Sequence, residues 1–158
     1  MKDFTLESER CIKMEGDRLR TEMERERHSE IQIPPIALDW SYWHSWWDVE
    51  RDARHDGVVV PNKQPGVYEV MLDDVRKTLL AIGRTNDLRM RIKQGLVRGK
   101  TPHSVGKRIR ADIKDGRVCA SDIGIRWAVT DRPAAVAEEL HRRYKARFGE
   151  LPKYNMRG

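Results

Sequence analysis

The stretch GVYEVMLDDVRKTLLAIGRTNDLRMR, from Gly66 to Arg91, indicates how this chain folds. Two apolar runs flank the acidic pair Asp73-Asp74, a pattern that is typical of a β-hairpin. The first run predicts a strand from about Gly66 to Leu72, and the second predicts a strand from about Lys77 to Ile82. The hairpin is therefore the first element that the sequence defines, and the other elements are read outward from it.

Downstream of the hairpin, Asn86 or Asp87 caps a helix that is predicted to extend to about Val97. A second helix begins at His103 or Ser104 and ends near Gly116. Residues 123–129 alternate as a third strand, and a last helix runs from about residue 133 to residue 148 before Gly149. The element order is β-β-α-α-β-α. We predict an α+β domain over residues 61–158, with a three-stranded sheet flanked by helices.

Residues 1–60 are predicted to form an N-terminal helical extension with a tryptophan-rich segment. Phe4 to Glu30 reads as a charged helix, with a disordered arm as the alternative. A linker follows, and residues 58–60 resemble a short edge strand. Trp40, Trp43 and Trp47 recur at helical spacing, which predicts one aromatic face. That face either packs the extension onto the sheet or stacks on unpaired bases. The extension either docks on the domain, pairs with a second copy to give a homodimer, or recruits a partner protein.

The composition indicates a soluble globular protein with a heavily charged surface, because 39% of residues are apolar and 35% are charged. The longest apolar runs are far shorter than the roughly 20 residues that span a bilayer, so we expect no membrane association. The charged start, residues 1–10, lacks the apolar centre of a signal peptide. We therefore expect a cytoplasmic protein.

The excess positive charge is concentrated in one segment. Residues 83–117 contain 11 Lys or Arg against 3 Asp, a net charge of +8, whereas the whole chain carries +6. Such a cationic segment favours a phosphate-backbone partner, because neutralising phosphates releases condensed counterions. The alternative is a solvated helical face. We predict that eight of these side chains bind nucleic acid: Arg84, Arg89, Lys93, Arg98, Lys100, Lys107, Arg108 and Arg110.

The hairpin and the helix after it resemble the GIY-YIG nuclease family, whose domain opens with two tripeptides on a hairpin. Gly66-Val67-Tyr68 matches the first tripeptide, and Ala81-Ile82-Gly83 matches the second except that Ala81 replaces a tyrosine. The family's helix arginine falls on Arg91, ten residues after Ala81. Residues 152–155, Pro-Lys-Tyr-Asn, match the closing Pro-x-x-Asn of the family. The resemblance covers residues 65–155 and implies the same element order.

The resemblance also implies catalytic roles. Tyr68 would activate or orient water, Arg91 would bind the scissile phosphate, and Asn155 would support the site. A guanidinium suits that role because its fork meets two phosphate oxygens at once. Ala81 has no hydroxyl, so a neighbour must supply the missing group; His103 and Lys77 are the candidates.

The family binds one divalent metal, Mg²⁺ or Mn²⁺, through a glutamate on the last helix. Glu138 and Glu139 are the candidates, although both lie on the shoulders of the apolar stripe whose middle is near Ala137. Either one of the two is the ligand or the metal site has been lost.

Two functions follow from these observations. The first is a metal-dependent endonuclease that hydrolyses phosphodiester bonds in DNA; the sequence does not distinguish DNA from RNA. The second is a catalytically degenerate protein of the same fold, which binds nucleic acid or acts as an adaptor and recruits a partner through residues 1–60.

Overall fold

The computed structural model describes residues 35–51 and 60–156. Those from residue 36 onward belong to one compact unit. The predicted helix from Phe4 to Glu30 and most of the predicted strand at residues 58–60 lie outside the described residues. No helix within the described ranges is long and apolar enough to cross a membrane.

The predicted hairpin is present. Strand β2 spans Gly66–Leu72, as the alternation predicted. Strand β3 spans Thr78–Thr85, which extends three residues beyond the predicted end because Gly83, Arg84 and Thr85 continue the antiparallel pairing. The turn is held by Asp74, whose carboxylate accepts hydrogen bonds from the backbone amides of Arg76 and Thr78.

The sheet has four antiparallel strands, so the prediction of three strands was wrong. Their order is β1 (His44–Ser45), β4 (Ile123–Val129), β2 and β3. Strand β4 spans Ile123–Val129, as predicted, and pairs with β2 along its length. The additional strand, β1, is His44–Ser45 of the tryptophan-rich segment, and it pairs with β4. The fold is therefore α+β, and the tryptophan-rich segment adds a strand to the sheet. The boundary that we predicted at residue 60 stays a prediction.

The tryptophan-rich segment is not the single helix that the spacing of its tryptophans predicted. Trp40 forms an isolated bridge to Ala128, and helix α1 covers only Trp46–Arg51. Ser45 caps α1 by accepting a hydrogen bond from the Asp48 amide at 3.1 Å. The segment starts as extended chain because its backbone pairs with β4, and tertiary pairing outweighs helical periodicity here.

The helices have the predicted positions, with one difference in type. Residues Met90–Val97 form a π-helix rather than an α-helix. Helix α2 spans Ser104–Lys114, and helix α3 spans Pro133–Phe148. Gly149 ends α3 with a φ of 82°, which glycine adopts without steric cost.

The two faces of the sheet pack against different layers. On one face, Tyr68, Val70 and Ile125 join a large core with Ile92 of the π-helix and Ile109 of α2. On the other face, Val67 and Ala128 pack with Val136 and Ala137 of α3. Successive strand residues point to opposite faces. The sheet therefore separates α3 from the layer formed by the π-helix and α2.

Candidate functional site

Tyr68 is placed by β2 on the core face and is 2% exposed. Its ring lies over Gly83, its cross-strand partner. A Cβ atom at position 83 would be 2.1 Å from Tyr68 Cζ, far inside contact distance. The glycine of the second tripeptide is therefore needed for the close approach of the tyrosine of the first.

His103 joins Tyr68 to helix α2. It is the N-cap of α2, and its Nδ1 accepts a hydrogen bond from the Gly106 amide at 2.9 Å. Its Nε2 lies 2.8 Å from the Tyr68 hydroxyl. Because Nδ1 is an acceptor, we assign the ring proton to Nε2, which donates to the Tyr68 oxygen. Burial lowers the pKa of His103 to about 4, and the charges of Arg91 and Arg110 act in the same direction.

Arg91 brings a permanent positive charge to the same place. Its Nη1 donates to the carbonyl of Pro102 at 3.4 Å, and its Nε is buried with no hydrogen-bond partner in the described structure. Burial raises the pKa of Tyr68, although the nearby Arg91 guanidinium opposes that shift. At neutral pH the phenol and the imidazole are therefore both uncharged, and the guanidinium supplies the charge.

The π-helix positions Arg91 and allows the next loop to pack closely. The Arg98 amide donates to the Lys93 carbonyl at 3.0 Å, five residues earlier, as a π-helix requires. A Cβ atom at Gly95 would lie 3.0 Å from Thr101 Oγ1 and 3.1 Å from His103 Cδ2. The glycine thus lets His103 approach the helix that carries Arg91. We did not predict the roles of Gly95 and Gly106, and their nearness to His103 in sequence was the one available signal.

Asn155 supports the site from the edge of the sheet. Its Oδ1 accepts from the Ile82 amide at 2.7 Å, and its Nδ2 donates to the Ile82 carbonyl at 2.8 Å. The Tyr154 amide also donates to the Leu80 carbonyl at 3.0 Å. Asn155 therefore fixes the C-terminal loop on β3, the strand that carries Gly83. Both of these side-chain hydrogen bonds go to Ile82 and neither goes to Tyr68.

The structure separates the two candidates for the group missing at Ala81. Ala81 is buried in the core. His103 contacts the Tyr68 hydroxyl, whereas Lys77 lies in the exposed hairpin turn with its ammonium paired to Asp73. Among these two, only His103 is placed to act with Tyr68.

The two predicted metal ligands are not brought to this site. Glu138 is exposed on α3, and α3 packs on the sheet face opposite Tyr68. Glu139 forms ion pairs with Arg142 and Arg143 at 2.7 Å. Hydrogen bonds from these arginines lower the pKa of Glu139 to about 2. A divalent cation held by either glutamate would not lie beside Tyr68 and Arg91, so these residues do not fit the predicted metal site.

The predicted nucleic-acid-binding cations have different environments. Three arginines donate to backbone carbonyls: Arg98 to Glu50, Arg108 to Tyr154 and Met156, and Arg110 to Gly95 and Leu96. Lys93 is 4% exposed, and burial lowers its pKa. Arg84 is exposed on β3, and Arg89 is partly exposed near the start of the π-helix. Lys100 and Lys107 are exposed and line a cleft of about 550 Å³ that also includes Pro102, His103 and Arg110.

A second cluster, formed by Glu69, Arg126, Trp40 and Trp43, lies on the α3 face of the sheet. Glu69 accepts from Arg126 at 2.7 Å, and the Arg126 guanidinium lies 4.4 Å from the Trp40 ring and 4.6 Å from the Trp43 ring. Both tryptophans therefore pack against the sheet through Arg126, which agrees with the packing alternative for this segment.

Comparison of the chain with family models, with curated proteins and with solved structures finds no match.

Proposed function

We propose that this chain is a nucleic-acid-binding protein on a GIY-YIG-like framework and that Arg91 holds a backbone phosphate. The observation that carries the proposal is the buried Arg91 Nε, which has no hydrogen-bond partner in the described residues. A buried donor without a partner costs about 1–3 kcal/mol, so a local movement of the guanidinium that brings Nε to a phosphate oxygen would be stabilising. Phosphate oxygens are the acceptors that a guanidinium fork fits best.

The protonation states around Arg91 support anion binding. Tyr68 keeps its proton because burial raises its pKa, and His103 is neutral because burial lowers its pKa. Its assigned tautomer donates to the Tyr68 oxygen. The site therefore combines one fixed positive charge with neutral groups that hold it in place. Within the described part of the chain, the hydrogen bonds of Tyr68, His103 and Arg91 involve no carboxylate that would oppose an anion.

The surrounding charge favours the same ligand. The π-helix and α2, which pack against each other on the Tyr68 face, come from the segment that carries a net charge of +8. One of its three acids, Asp112, is engaged by Tyr154, Lys153 and Arg117. Lys153, which lies outside this segment, helps to neutralise Asp112, so the net charge of the layer stays positive and attracts a polyanion.

Hydrolysis of DNA is the second candidate, and the contact between Tyr68 and His103 beside Arg91 favours it. This contact joins the residues to which the family resemblance assigns catalytic roles. Against it, the raised pKa of Tyr68 disfavours the phenolate that a general base requires. Glu138 and Glu139 belong to the helix on the other face of the sheet, so neither is placed to hold a metal ion beside Tyr68. Recruitment of a partner through residues 1–60 stays a prediction.

The binding proposal is tested by fluorescence anisotropy with a labelled DNA duplex and the matching single strand. We expect Arg91→Ala to weaken binding by about tenfold or more and to reduce the slope of log K against log salt by about 1. Arg147→Ala removes an equal charge from an exposed position of α3, on the other face of the sheet, and serves as the control. Equal affinities and slopes for wild type and Arg91→Ala would refute a phosphate at Arg91.

Cleavage is assayed with the same proteins on supercoiled plasmid, with and without Mg²⁺ or Mn²⁺. Nicking that disappears in Arg91→Ala would establish the second candidate. Nicking that also disappears in Glu138→Ala/Glu139→Ala would show that our placement of the metal ligands is wrong. Binding without nicking would support the first candidate.

A further inference from the structure

The cleft beside His103 is lined by residues of one charge sign. Lys100 and Lys107 are exposed at its rim, and Arg110 lies in its wall. The other lining residues are Gly99, Thr101, Pro102, His103 and Ser104, so the lining contains no carboxylate. The cleft is open to solvent and has a volume of about 550 Å³.

Two features of the cleft aim donors into it. The α2 helix begins here, and the amides of Ser104 and Val105 have no intrahelical acceptor because they belong to its first turn. The Gly106 amide is already satisfied by His103. Lys107, three residues after Ser104, lines the same cleft. A helix dipole and nearby ammonium groups together favour an anion.

Arg110 is a fixed part of the wall. Its Nη1 donates to the carbonyls of Gly95 and Leu96, and its guanidinium lies against Gly99. A Cβ atom at Gly99 would be 2.8 Å from Arg110 Cζ, and the φ of Gly99 is +66°. The glycine thus permits the loop to close over the guanidinium, and the positive charge stays at the cleft.

The cleft is next to the Arg91 site and shares Pro102 and His103 with it. Pro102 lines the cleft, and its carbonyl accepts from Arg91 Nη1. His103 lines it as well and contacts the Tyr68 hydroxyl on its other side. A strand whose phosphate lies at Arg91 would therefore continue into this cleft. Because His103 is the one aromatic lining residue and is buried, the cleft offers no surface for stacking a base.

We propose that this cleft, between Lys100, Lys107 and the start of α2, is a second phosphate subsite that takes the neighbouring backbone phosphate of the strand bound at Arg91. This inference rests on the proposed function. The two subsites together would fix the strand along the line from Arg91 to Lys107, so that binding requires at least two consecutive phosphates.

The test is the salt dependence of DNA binding by the full chain, measured by anisotropy. Lys100→Ala/Lys107→Ala should weaken binding at least tenfold and lower the salt slope by about 1 to 2, since each phosphate contact contributes about 0.9. The control is Lys114→Ala/Lys145→Ala, which removes the same charge from the far end of α2 and from α3. A control that weakens binding equally would show a nonspecific charge effect and overturn the subsite.

Arg91→Ala in the same assay separates the two proposals. A loss in Arg91→Ala with an unchanged cleft variant would refute the second subsite and leave the proposed function standing. A loss in the cleft variant with unchanged Arg91→Ala would refute the phosphate at Arg91, and with it this subsite as the neighbour of that phosphate. Amide NMR spectra provide a second readout: added DNA should shift Ser104 and Val105, and unshifted amides would overturn the subsite.

Discussion

Replacing Gly83 with alanine tests the close contact on which the site is built. The new Cβ atom would lie 2.1 Å from Tyr68 Cζ and 2.2 Å from its hydroxyl oxygen. Carbon atoms in contact are about 3.5 Å apart or more, so the ring must move by roughly 1.4 Å. A shift of that size is half the 2.8 Å between Tyr68 and His103, which is enough to break their hydrogen bond.

The expected cost has two parts. Overpacking a filled core costs about 1–3 kcal/mol, and loss of the hydrogen bond to His103 adds about 0.5–1.5 kcal/mol. We therefore expect the free energy of unfolding to fall by about 1.5–4.5 kcal/mol in Gly83→Ala. Urea denaturation, monitored by tryptophan fluorescence and by circular dichroism, measures this change as a lower midpoint with an unchanged slope.

Gly124→Ala is the matched control because Gly124 is also a strand glycine. Its Cβ would meet Trp43 Cε3 at 3.3 Å, a contact that a small movement relieves. In a Tyr68→Leu background the cost of Gly83→Ala should shrink, because the ring that causes the clash is gone. A Gly83→Ala variant as stable as wild type, or a cost that is unchanged without the Tyr68 ring, would refute this packing.

Two further predictions concern residues around the site. Asn155→Ala should lower the free energy of unfolding by about 1–3 kcal/mol, because both hydrogen bonds to the Ile82 backbone are lost; urea midpoints measure this, with the exposed Glu150→Ala as control. His103 has a folded-state pKa of about 4 against an ordinary value of 6.5. As the pH falls below 6.5 the unfolded chain binds the proton first, so stability is lost between about pH 6.5 and 4. His103→Asn keeps an N-cap side chain and should remove about 2 kcal/mol of the loss between pH 7 and pH 5.

Each of these predictions has a clear contrary result. An Asn155→Ala variant that differs from Glu150→Ala by less than about 0.5 kcal/mol would mean that the loop is held by other contacts. Parallel pH profiles for wild type and His103→Asn would mean that His103 titrates alike in the folded and unfolded chain. The pH profile of His44→Asn provides the comparison, because burial lowers the pKa of His44 as well.

The elements that the sequence predicted well are those with local signals. Strands β2 and β4 have the predicted ends, and α3 begins at Pro133 and ends before Gly149 as predicted. Alternation, a proline at the helix start and a glycine after its end act over a few residues, so the sequence carries them directly.

The fourth strand and the π-helix could not be read in this way. Strand β1 exists because His44 and Ser45 pair with residues far along the chain, in β4. The spacing of Trp40, Trp43 and Trp47 fits a helix equally well. The backbone hydrogen bonds of a π-helix join residues five apart, whereas those of an α-helix join residues four apart. Apolar periodicity over eight residues does not separate the two.

The site was predictable in its residue types and less so in its geometry. Tyr68, Arg91 and His103 come together because short elements connect them. Tertiary contacts decide which of the predicted surface cations are exposed. Arg98 and Arg108 donate hydrogen bonds to backbone carbonyls, whereas Lys107 is exposed to solvent. The face on which α3 packs depends on contacts across the whole sheet. The positions of Glu138 and Glu139 depend on that face, so the sequence alone did not predict them.

The side-chain NMR resonance of Arg91 tests the central claim most directly. The ¹H–¹⁵N correlation of its Nε–H group, assigned with Arg91→Lys, is followed while a short DNA duplex is added. If this donor receives a phosphate oxygen, its resonance moves progressively and saturates with the binding curve. A resonance that stays in place while the protein becomes saturated with DNA would contradict a phosphate at Arg91.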